Sequence, residues 1–292
     1  MSETACVINH HTPLGSFLLN QRRTLKRLRL HSKNMQWELD LNDDDEELVW
    51  PHVIELELDV APIHPTFRFH IAHAFPSVQH HCTSEQQRSW MTHPSNLPFI
   101  LRLESLSGEW SDMEHALEVG ACLRRIIISA ESVLTDDIGF KAYLPQNLRG
   151  LTLTIAAKQY RLLEGLPGAA PRLKYLYIGI HIEWGSPITV LEISQYIIAI
   201  VSRFASLQYL SVDFYRVGQL ELTAQSDTFA GITAARMCPS LCSVAISRSG
   251  KRELCWRRVF DSQDDRGRFV MVSEEDGEDS KRYYDWPWAD KS

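Results

Sequence analysis

The chain has 292 residues, which exceeds the usual size of a single hydrophobic core and leaves two domains or a repeat array. Hydrophobic residues make up 44% and aromatic residues 10% of the sequence, too many for a disordered chain. The formal net charge of -7 argues against nucleic-acid binding, because phosphate neutralisation needs clustered lysines and arginines and the basic stretch at 22–29 is short.

The N-terminal segment lacks the pattern of an export signal, since residues 1–19 have no basic start and only a short apolar run at 17–19. No stretch approaches the roughly 18 apolar residues of a membrane span. The six cysteines are scattered without the spacing of a disulfide framework, which indicates reduced thiols. We therefore expect an intracellular protein, cytoplasmic or nuclear, with neither a membrane nor a nucleic-acid partner.

A short apolar pattern recurs along the chain. Each copy has an apolar residue, a second one three positions later and a third one five positions after the first. The strict copies are Leu25-Leu28-Leu30, Val53-Leu56-Leu58, Leu123-Ile126-Ile128, Leu148-Leu151-Leu153, Leu173-Leu176-Ile178, Leu207-Leu210-Val212 and Leu241-Val244-Ile246, and the weaker ones are Val78-His81-Thr83 and Pro98-Leu101-Leu103. The copies that start at 98, 123, 148 and 173 lie 25 residues apart, as do those at 53 and 78. A constant phase of this kind indicates an internal repeat, here with irregular intervals elsewhere.

Each copy predicts a short strand with one buried face, because its apolar residues alternate with more polar ones. Such a strand cannot bury its face alone, so neighbouring copies must stack. Helices that return the chain are predicted at four places between the copies. They are a weak capping box at 84–87, a capping box at Ser111–Glu114 with Gly120 as its end, a helix opened by Ser186-Pro187 through Phe204, and a segment at 227–237.

Three regions follow from these elements: a lead-in or cap at 1–20, the array at 21–250, and a C-terminal cap at 251–292. The acidic run at 43–47 is interpreted as a solvated insertion. In the last region, strands at 255–260 and 268–272 flank a predicted turn at 264–267, and this hairpin would cover the open edge of the array. An acidic loop at 274–279 and an aromatic tail follow, with Tyr283, Tyr284, Trp286 and Trp288. We expect this tail to fold back on the core, with a docking peptide as the alternative.

The strand segments LKRLRL, LRRIIIS, NLRGLTLTI, PRLKYLYIGI and SLQYLSVDF resemble those of the leucine-rich-repeat family, over about residues 20–250. The chain departs from that family where it usually has Asn or Cys, since Ala156, His181 and Tyr215 stand there. Such long, uneven repeats are most similar to those of fungal F-box-type proteins, although the F-box itself is not evident before the first repeat. The resemblance implies an α/β solenoid, with a parallel sheet on the concave face and helices or loops on the convex face, and the substrate-recognition part of a ubiquitin-ligase receptor.

The alternate strand positions would then line the concave face and bind a protein ligand. Tyrosine is enriched in binding hot spots because it brings a large area and a hydroxyl at low entropic cost. The predicted ligand-binding residues are Tyr175, Tyr177, Tyr209, Arg125, Arg102 and Asp213. Two alternatives stay open at this stage: long loops or the C-terminal tail cover these tyrosines, and the basic rung of Arg27 and Arg29 is neutralised by an acidic rung at 55–59.

A second reading concerns the histidine-rich segment His70, His73, His80, His81 and Cys82, whose side chains suit zinc and would make the chain a metal-assisted hydrolase. Its spacing matches no standard site, and His81 falls at an inward repeat position. No phosphate-binding loop or hydrolase motif occurs, so no catalytic residue, metal or cofactor is predicted. We expect a non-catalytic interaction module, with the hydrolase or a structural remnant of an F-box-type receptor as alternatives.

Overall fold

The computed structural model describes residues 6–9, 11–37, 48–62, 71–83, 91–128, 140–183, 188–216, 238–248, 251–261 and 264–285. The chain divides into two compact units, Met1–Leu123 and Arg124–Ser292. Both units combine strands and helices, so the α/β class predicted from the sequence is confirmed.

The first unit is built on parallel strands that pair in chain order. Its strands are β1 (Cys6–Ile8), β2 (Arg27–Trp37), β3 (Glu55–Pro62), β4 (His80–Cys82) and β5 (Ser105–Gly108). Its helices are α1 (Pro13–Asn20), α2 (Ile71–Ala74), α3 (Leu97–Arg102) and α4 (Trp110–Glu118), and a 3-10 helix spans Pro94–Asn96. Every strand from β1 to β4 pairs in parallel with the next one along the chain.

The interior of the first unit contains a row of residues in register. Leu28, Leu56, His81 and Leu106 are directly paired across β2 to β5, and all four are buried. This is the middle apolar position of the repeat, so the predicted strand phase is confirmed for β2, β3 and β4. Trp50 is also fully buried in this unit, where its indole N–H donates to the Leu18 carbonyl at 3.1 Å and its ring stacks on Phe75.

The second unit is also built on parallel strands that pair in chain order, and it ends in an antiparallel hairpin. Its strands are β6 (Arg125–Ile128), β7 (Gly150–Ala156), β8 (Tyr175–Ile182), β9 (Tyr209–Arg216), β10 (Ser243–Arg248), β11 (Lys251–Asp261) and β12 (Asp264–Val272). Its helices are α5 (Phe140–Tyr143), α6 (Leu166–Ala169), α7 (Val190–Val201) and α8 (Glu274–Asp285), and a 3-10 helix spans Ala157–Leu163. Strands β6 to β10 pair in parallel, and β11 and β12 then pair antiparallel.

The interior of the second unit holds the longest row of paired residues. Ile126, Leu151, Leu176, Leu210 and Val244 are directly opposite one another across five strands, and each is at most 2% exposed. Aliphatic side chains of similar size therefore lie in layers, and each layer shields the next from water. The predicted layering of these residues is confirmed.

The prediction that the weak copy Pro98-Leu101-Leu103 forms a strand is wrong. Residues 97–102 form α3, where Leu101 is exposed, and the strand begins only at Ser105. The true copy is Leu103-Leu106-Gly108, which lies 25 residues after Val78 and 20 before Leu123. A proline at the first turn of α3 favours a helix there, and the apolar count alone did not reveal it.

Two return helices are confirmed, but their N-terminal caps differ from the prediction. Helix α4 is capped by Glu109, whose capping-box partner is Asp112 rather than Glu114. It ends before Gly120, whose φ of 98° is the left-handed conformation that glycine adopts readily. Helix α7 starts after Thr189, which forms a capping box with Glu192.

The C-terminal region contains the predicted hairpin, but the turn and the tail are different. The segment predicted as a turn lies within β12, and Asp261 pairs with Asp264. The residues predicted as an acidic loop and the tyrosines after them form one helix, α8. Ser273 starts this helix, because its hydroxyl accepts the Asp276 N–H at 3.1 Å and donates to the Asp276 carboxylate at 2.6 Å.

Several predicted features lie outside the described residues. They are the acidic run at 43–47, the candidate helices at 84–87 and 227–237, the dipeptide at 186–187, and Trp286 and Trp288.

Candidate functional site

The face of the second unit opposite its buried row is called the outward face here. Alternation along the strands places the residues next to each buried one on this face. It consists of Arg125 and Ile127 on β6; Gly150, Thr152 and Thr154 on β7; Tyr175, Tyr177, Gly179 and His181 on β8; Tyr209, Ser211, Asp213 and Tyr215 on β9; Ser243, Ala245 and Ser247 on β10; and Cys255 and Arg257 on β11.

Two of the predicted ligand-binding tyrosines are covered, which contradicts the expectation that they are accessible. Tyr175 and Tyr209 are 3% and 1% exposed, and their rings are stacked with centroids 5.1 Å apart. Together with Ala245 and Cys255 they form a buried cluster on the outward face. Tyr284 of α8 packs against this cluster, with its ring centroid 5.7 Å from that of Tyr209. The alternative that the C-terminal tail folds over the tyrosines is therefore confirmed.

Helix α8 approaches the sheet closely because a glycine faces it. A Cβ built on Gly277 would overlap the Cys255 Sγ, so any larger residue would push the helix away from β11. Arg257 joins the two elements, since its guanidinium donates to the Asp276 carbonyl at 2.8 Å and to the Ser280 hydroxyl at 2.7 Å. The burial of the Tyr284 hydroxyl raises its pKa, with the Cys242 thiol as the next cause. Tyr284 is therefore neutral at physiological pH.

Tyr177 and Asp213 lie beside this cluster and form a polar group with Tyr215. The Tyr177 hydroxyl is 2.5 Å from the Tyr215 hydroxyl and donates to the Asp213 carboxylate at 3.3 Å. Burial is the main cause that raises the pKa of both tyrosines, followed for Tyr177 by its hydrogen bond to Tyr215 and by the Asp213 charge. Both phenols therefore stay protonated and serve as hydrogen-bond donors.

A glycine makes room for this polar group. A Cβ on Gly179 would lie 2.8 Å from Thr154 Oγ1 and 2.9 Å from Tyr215 Cε2, so the Tyr215 ring occupies the space above the glycine. The His181 ring also stacks on the Tyr215 ring, with 5.0 Å between the two ring centroids. These contacts fix the Tyr215 ring, and the fixed ring orients the hydroxyl that meets Tyr177.

The two predicted arginines have different positions. Arg125 lies on the outward face, and its aliphatic part passes over Gly150, where a Cβ would be 3.1 Å from Arg125 Cγ. Arg102 does not belong to this face, so its prediction is wrong. It is the last residue of α3 in the first unit, where its guanidinium donates to the Ala72 carbonyl at 3.4 Å.

In the first unit, the basic and acidic rungs neutralise each other, as the sequence suggested. Glu55 accepts from Arg29 and forms an ion pair with Arg27 at 3.3 Å. Glu57 forms an ion pair with Arg29 at 3.5 Å, and its carboxylate lies 3.3 Å from His31 Nε2. The basic side chains are about half exposed, so these pairs contribute little to stability.

The histidine-rich segment is not assembled into one site. Alternation along β4 turns His81 inward, while His80 and Cys82 stand on the opposite face. Burial lowers the pKa of His81 to about 3, and its Nδ1 is 3.0 Å from the Leu56 carbonyl. His70 lies outside the described residues, and among those described no group of three or more His, Cys, Asp or Glu could hold a metal ion.

Several residues of the outward face were not singled out from the sequence. The strands β8 and β9 are eight residues long, so the alternation reaches His181 and Tyr215 beyond the consensus positions. Continuing the period-two pattern past the consensus would have found both. Cys255 and Gly277 give no such signal, because their contact depends on a helix that the hydropathy pattern did not predict.

No protein-family model matches the chain, and neither a curated protein nor a solved structure is detectably similar to it. Along the described part of the chain, every helix is too short or too polar to cross a membrane.

Proposed function

We propose that the chain is an irregular leucine-rich-repeat solenoid that acts as a non-catalytic protein-binding module. Its ligand contacts the open part of the outward face, defined as Arg125, Ile127, Thr152, Tyr177 and Asp213. The row of buried residues from β6 to β10 carries this proposal, because strands held in register by such a row present their alternate residues as one continuous surface.

The chemistry of the open part supports a protein ligand. Each of its five residues keeps part of its side chain in solvent. Ile127 supplies apolar area, Arg125 and Asp213 supply opposite charges, and Tyr177 combines a ring with a protonated hydroxyl. Aromatic residues and arginine are enriched in protein interfaces and in their binding hot spots.

The sharper form of the proposal makes this ligand a substrate of a ubiquitin ligase. This form is based on the resemblance of the strand segments to the repeats of fungal F-box-type proteins, which is an analogy of fold. It adds one requirement, that the full chain binds the adaptor subunit of a cullin–RING ligase.

Affinity capture from the native cell extract with quantitative mass spectrometry tests the proposal. The variant Ile127→Glu, Thr152→Arg places two charges on the open part and leaves the buried row unchanged. Its matched control is Leu191→Glu, Ala199→Arg, which makes the same change of charge at two exposed positions of α7. Circular dichroism and thermal unfolding establish that both variants fold like the wild type.

A partner that wild type and control retain, and that the open-part variant loses at least tenfold, supports the proposal. If every recovered partner binds all three chains equally, the outward face is not the binding surface. Direct binding of the purified adaptor to the full chain decides the ligase form. A stably folded chain that captures no partner and no adaptor indicates a structural remnant.

A further inference from the structure

Helix α8 touches the outward face through one narrow stripe of its own surface. Gly277 and Ser280 are buried, and Tyr284 is partly buried on the tyrosine cluster. These residues are spaced three and four apart, so they lie on one side of the helix. Acidic residues dominate the rest of the first two turns and are largely exposed.

The contact between α8 and the sheet is small for a helix of twelve residues. Its fully buried part consists of a glycine and a serine, which remove little apolar area from water. Two hydrogen bonds from Arg257, the ring of Tyr284 and the hydrogen bond between the Tyr284 hydroxyl and the Cys242 thiol add specific contacts. Elements held by few buried apolar groups open at a lower free energy than the core.

The surface beneath α8 is more apolar than the helix that covers it. It presents the stacked rings of Tyr175 and Tyr209, together with Ala245 and Cys255. Arg257 and Arg258 line a cleft of about 290 Å³ next to α8, with Tyr283 and Tyr284 on the helix side. An aromatic patch with the Arg257 guanidinium at its edge complements an acidic helix that has small residues on its contact side.

We infer that the tyrosine cluster under α8 is a docking surface for a helix of a partner protein, and that α8 is its intramolecular mimic. The partner helix carries a small residue, a second small residue three positions later and an aromatic residue four positions after that, with acidic residues on its other sides. This inference rests on the proposed function, because it names a second class of contact for the same outward face. Binding of the partner helix requires that α8 first leave.

Site-resolved alkylation of the full chain measures the opening of α8. Neither Cys255 nor Cys238 is in a disulfide; the Cys255 thiol is buried under Gly277, whereas the Cys238 thiol is 0% exposed in the core. If α8 opens locally, iodoacetamide labels Cys255 at least tenfold faster than Cys238 in the wild type. Equal rates would show that both thiols need global unfolding.

The variant Gly277→Leu is expected to release α8, because its side chain overlaps Cys255 and the helix cannot keep its distance from β11. Cys255 labelling should rise at least tenfold while Cys238 labelling stays unchanged. The matched control is Glu275→Leu, which adds the same side chain at an exposed position of α8 and should label like the wild type.

The binding probe is a fluorescent peptide of residues 273–285, SEEDGEDSKRYYD, added in trans and followed by anisotropy. We expect it to bind the Gly277→Leu chain at least tenfold more tightly than the wild-type chain, since α8 no longer competes for the surface. The same peptide with the Gly277→Leu change should not bind either chain.

The outcomes separate this inference from the proposed function. Exposure of Cys255 without binding of the wild-type peptide overturns the docking surface, and it leaves the open part of the outward face untouched. A Gly277→Leu chain that also labels rapidly at Cys238 has lost its core. In that case Tyr284→Ala takes its place, because it removes the ring contact and the hydroxyl next to Cys242 without adding bulk against β11. The wild-type ratio of Cys255 to Cys238 labelling already decides whether α8 opens.

Discussion

The imidazole of His81 occupies a position that leucine holds in both neighbouring strands, Leu56 and Leu106. It is 2% exposed, its Nδ1 lies 3.0 Å from the Leu56 carbonyl, and its ring meets Phe99 edge to face at 5.4 Å between centroids. The neutral ring that donates to this carbonyl fits the site. A protonated ring would place a positive charge in the interior without the hydration it has in water.

Because its folded-state pKa, about 3, lies below the value of 6.5 for an unperturbed histidine, His81 should make the protein sensitive to acid. Above pH 6.5 the imidazole is neutral in both states, and the free energy of unfolding is not reduced by His81. As the pH falls from 6.5 toward 3, the free energy of unfolding decreases, because only the unfolded state binds the proton. The loss is about 1.4 kcal/mol for each pH unit inside this window.

Urea unfolding at pH 7.5, 5.5 and 4.5 checks this prediction. The variant His81→Leu should be less stable than the wild type at pH 7.5, because the Leu56 carbonyl loses its donor, but its stability should fall less with acid. The matched control His52→Gln, at an exposed position, should follow the wild-type curve. Parallel curves for His81→Leu and wild type would show that another group carries the acid sensitivity.

At the scale of the element, α4 shows how a cap differs from its sequence signature. The spacing of Ser111 and Glu114 fits a capping box, but Ser111 is exposed inside the helix. Asp112 instead accepts the Glu109 N–H at 3.2 Å and the Thr83 hydroxyl at 2.8 Å. The sequence did not show this, because Thr83 lies 29 residues away and meets Asp112 only after β4 and β5 have paired.

We therefore expect Asp112→Ala to lower the free energy of unfolding by about 1–3 kcal/mol, since the Glu109 N–H loses its acceptor and the Thr83 hydroxyl keeps only the Ser107 carbonyl at 3.1 Å. The change Ser111→Ala should stay within about 0.5 kcal/mol of the wild type, as is usual for surface substitutions. Chemical unfolding of both variants measures the difference. If Ser111→Ala lost more stability than Asp112→Ala, the capping box at Ser111 and Glu114 would be correct after all, and the role of Asp112 would be wrong.

The C-terminal helix α8 was missed because the prediction used the hydropathy pattern alone. The sequence does contain a helix signal, which is the charge distribution of the first turn. Its acidic residues looked like a loop, yet Glu274, Glu275 and Asp276 occupy the first turn, where the helix dipole favours negative charge. The Ser273 cap adds to this preference. Once α8 forms, the chain covers Tyr175 and Tyr209, so the error in one element changed the prediction of the site.

At the scale of the whole molecule, the strand positions were predictable and the coverage of their faces was not. The repeat phase places Ile126, Leu151 and Leu176 correctly, because the sequence itself shows apolar residues three and five positions after the first residue of each copy. Which outward residues remain accessible depends on a helix that follows the last strand. Periodicity carries no information about that contact. Tyr177 and Asp213 therefore lie on the predicted strand face and stay partly exposed, whereas Tyr175 and Tyr209 lie on the same face and are covered.

The proposed stacking of repeats makes a prediction about how core substitutions combine in the second unit. Leu151 and Leu176 are directly opposite each other, whereas Ile126 and Val244 are four strand spacings apart, about 19 Å at the usual spacing of parallel strands. Each single change to alanine at the leucines should cost about 2–5 kcal/mol. In the double variant Leu151→Ala, Leu176→Ala the loss should be smaller than the sum by about 0.5–3 kcal/mol, because one cavity already allows the neighbouring layer to relax.

The pair Ile126→Ala, Val244→Ala is the matched control, and its losses should add to within about 0.5 kcal/mol. Unfolding in a constant concentration of a stabilising osmolyte keeps the double variants folded in the absence of denaturant. Stacked repeats contact only their neighbours, so coupling must fall with the number of strands between two residues. Equal coupling in both pairs would mean that the unit responds as one undivided core, and the description of the chain as a solenoid would then be wrong.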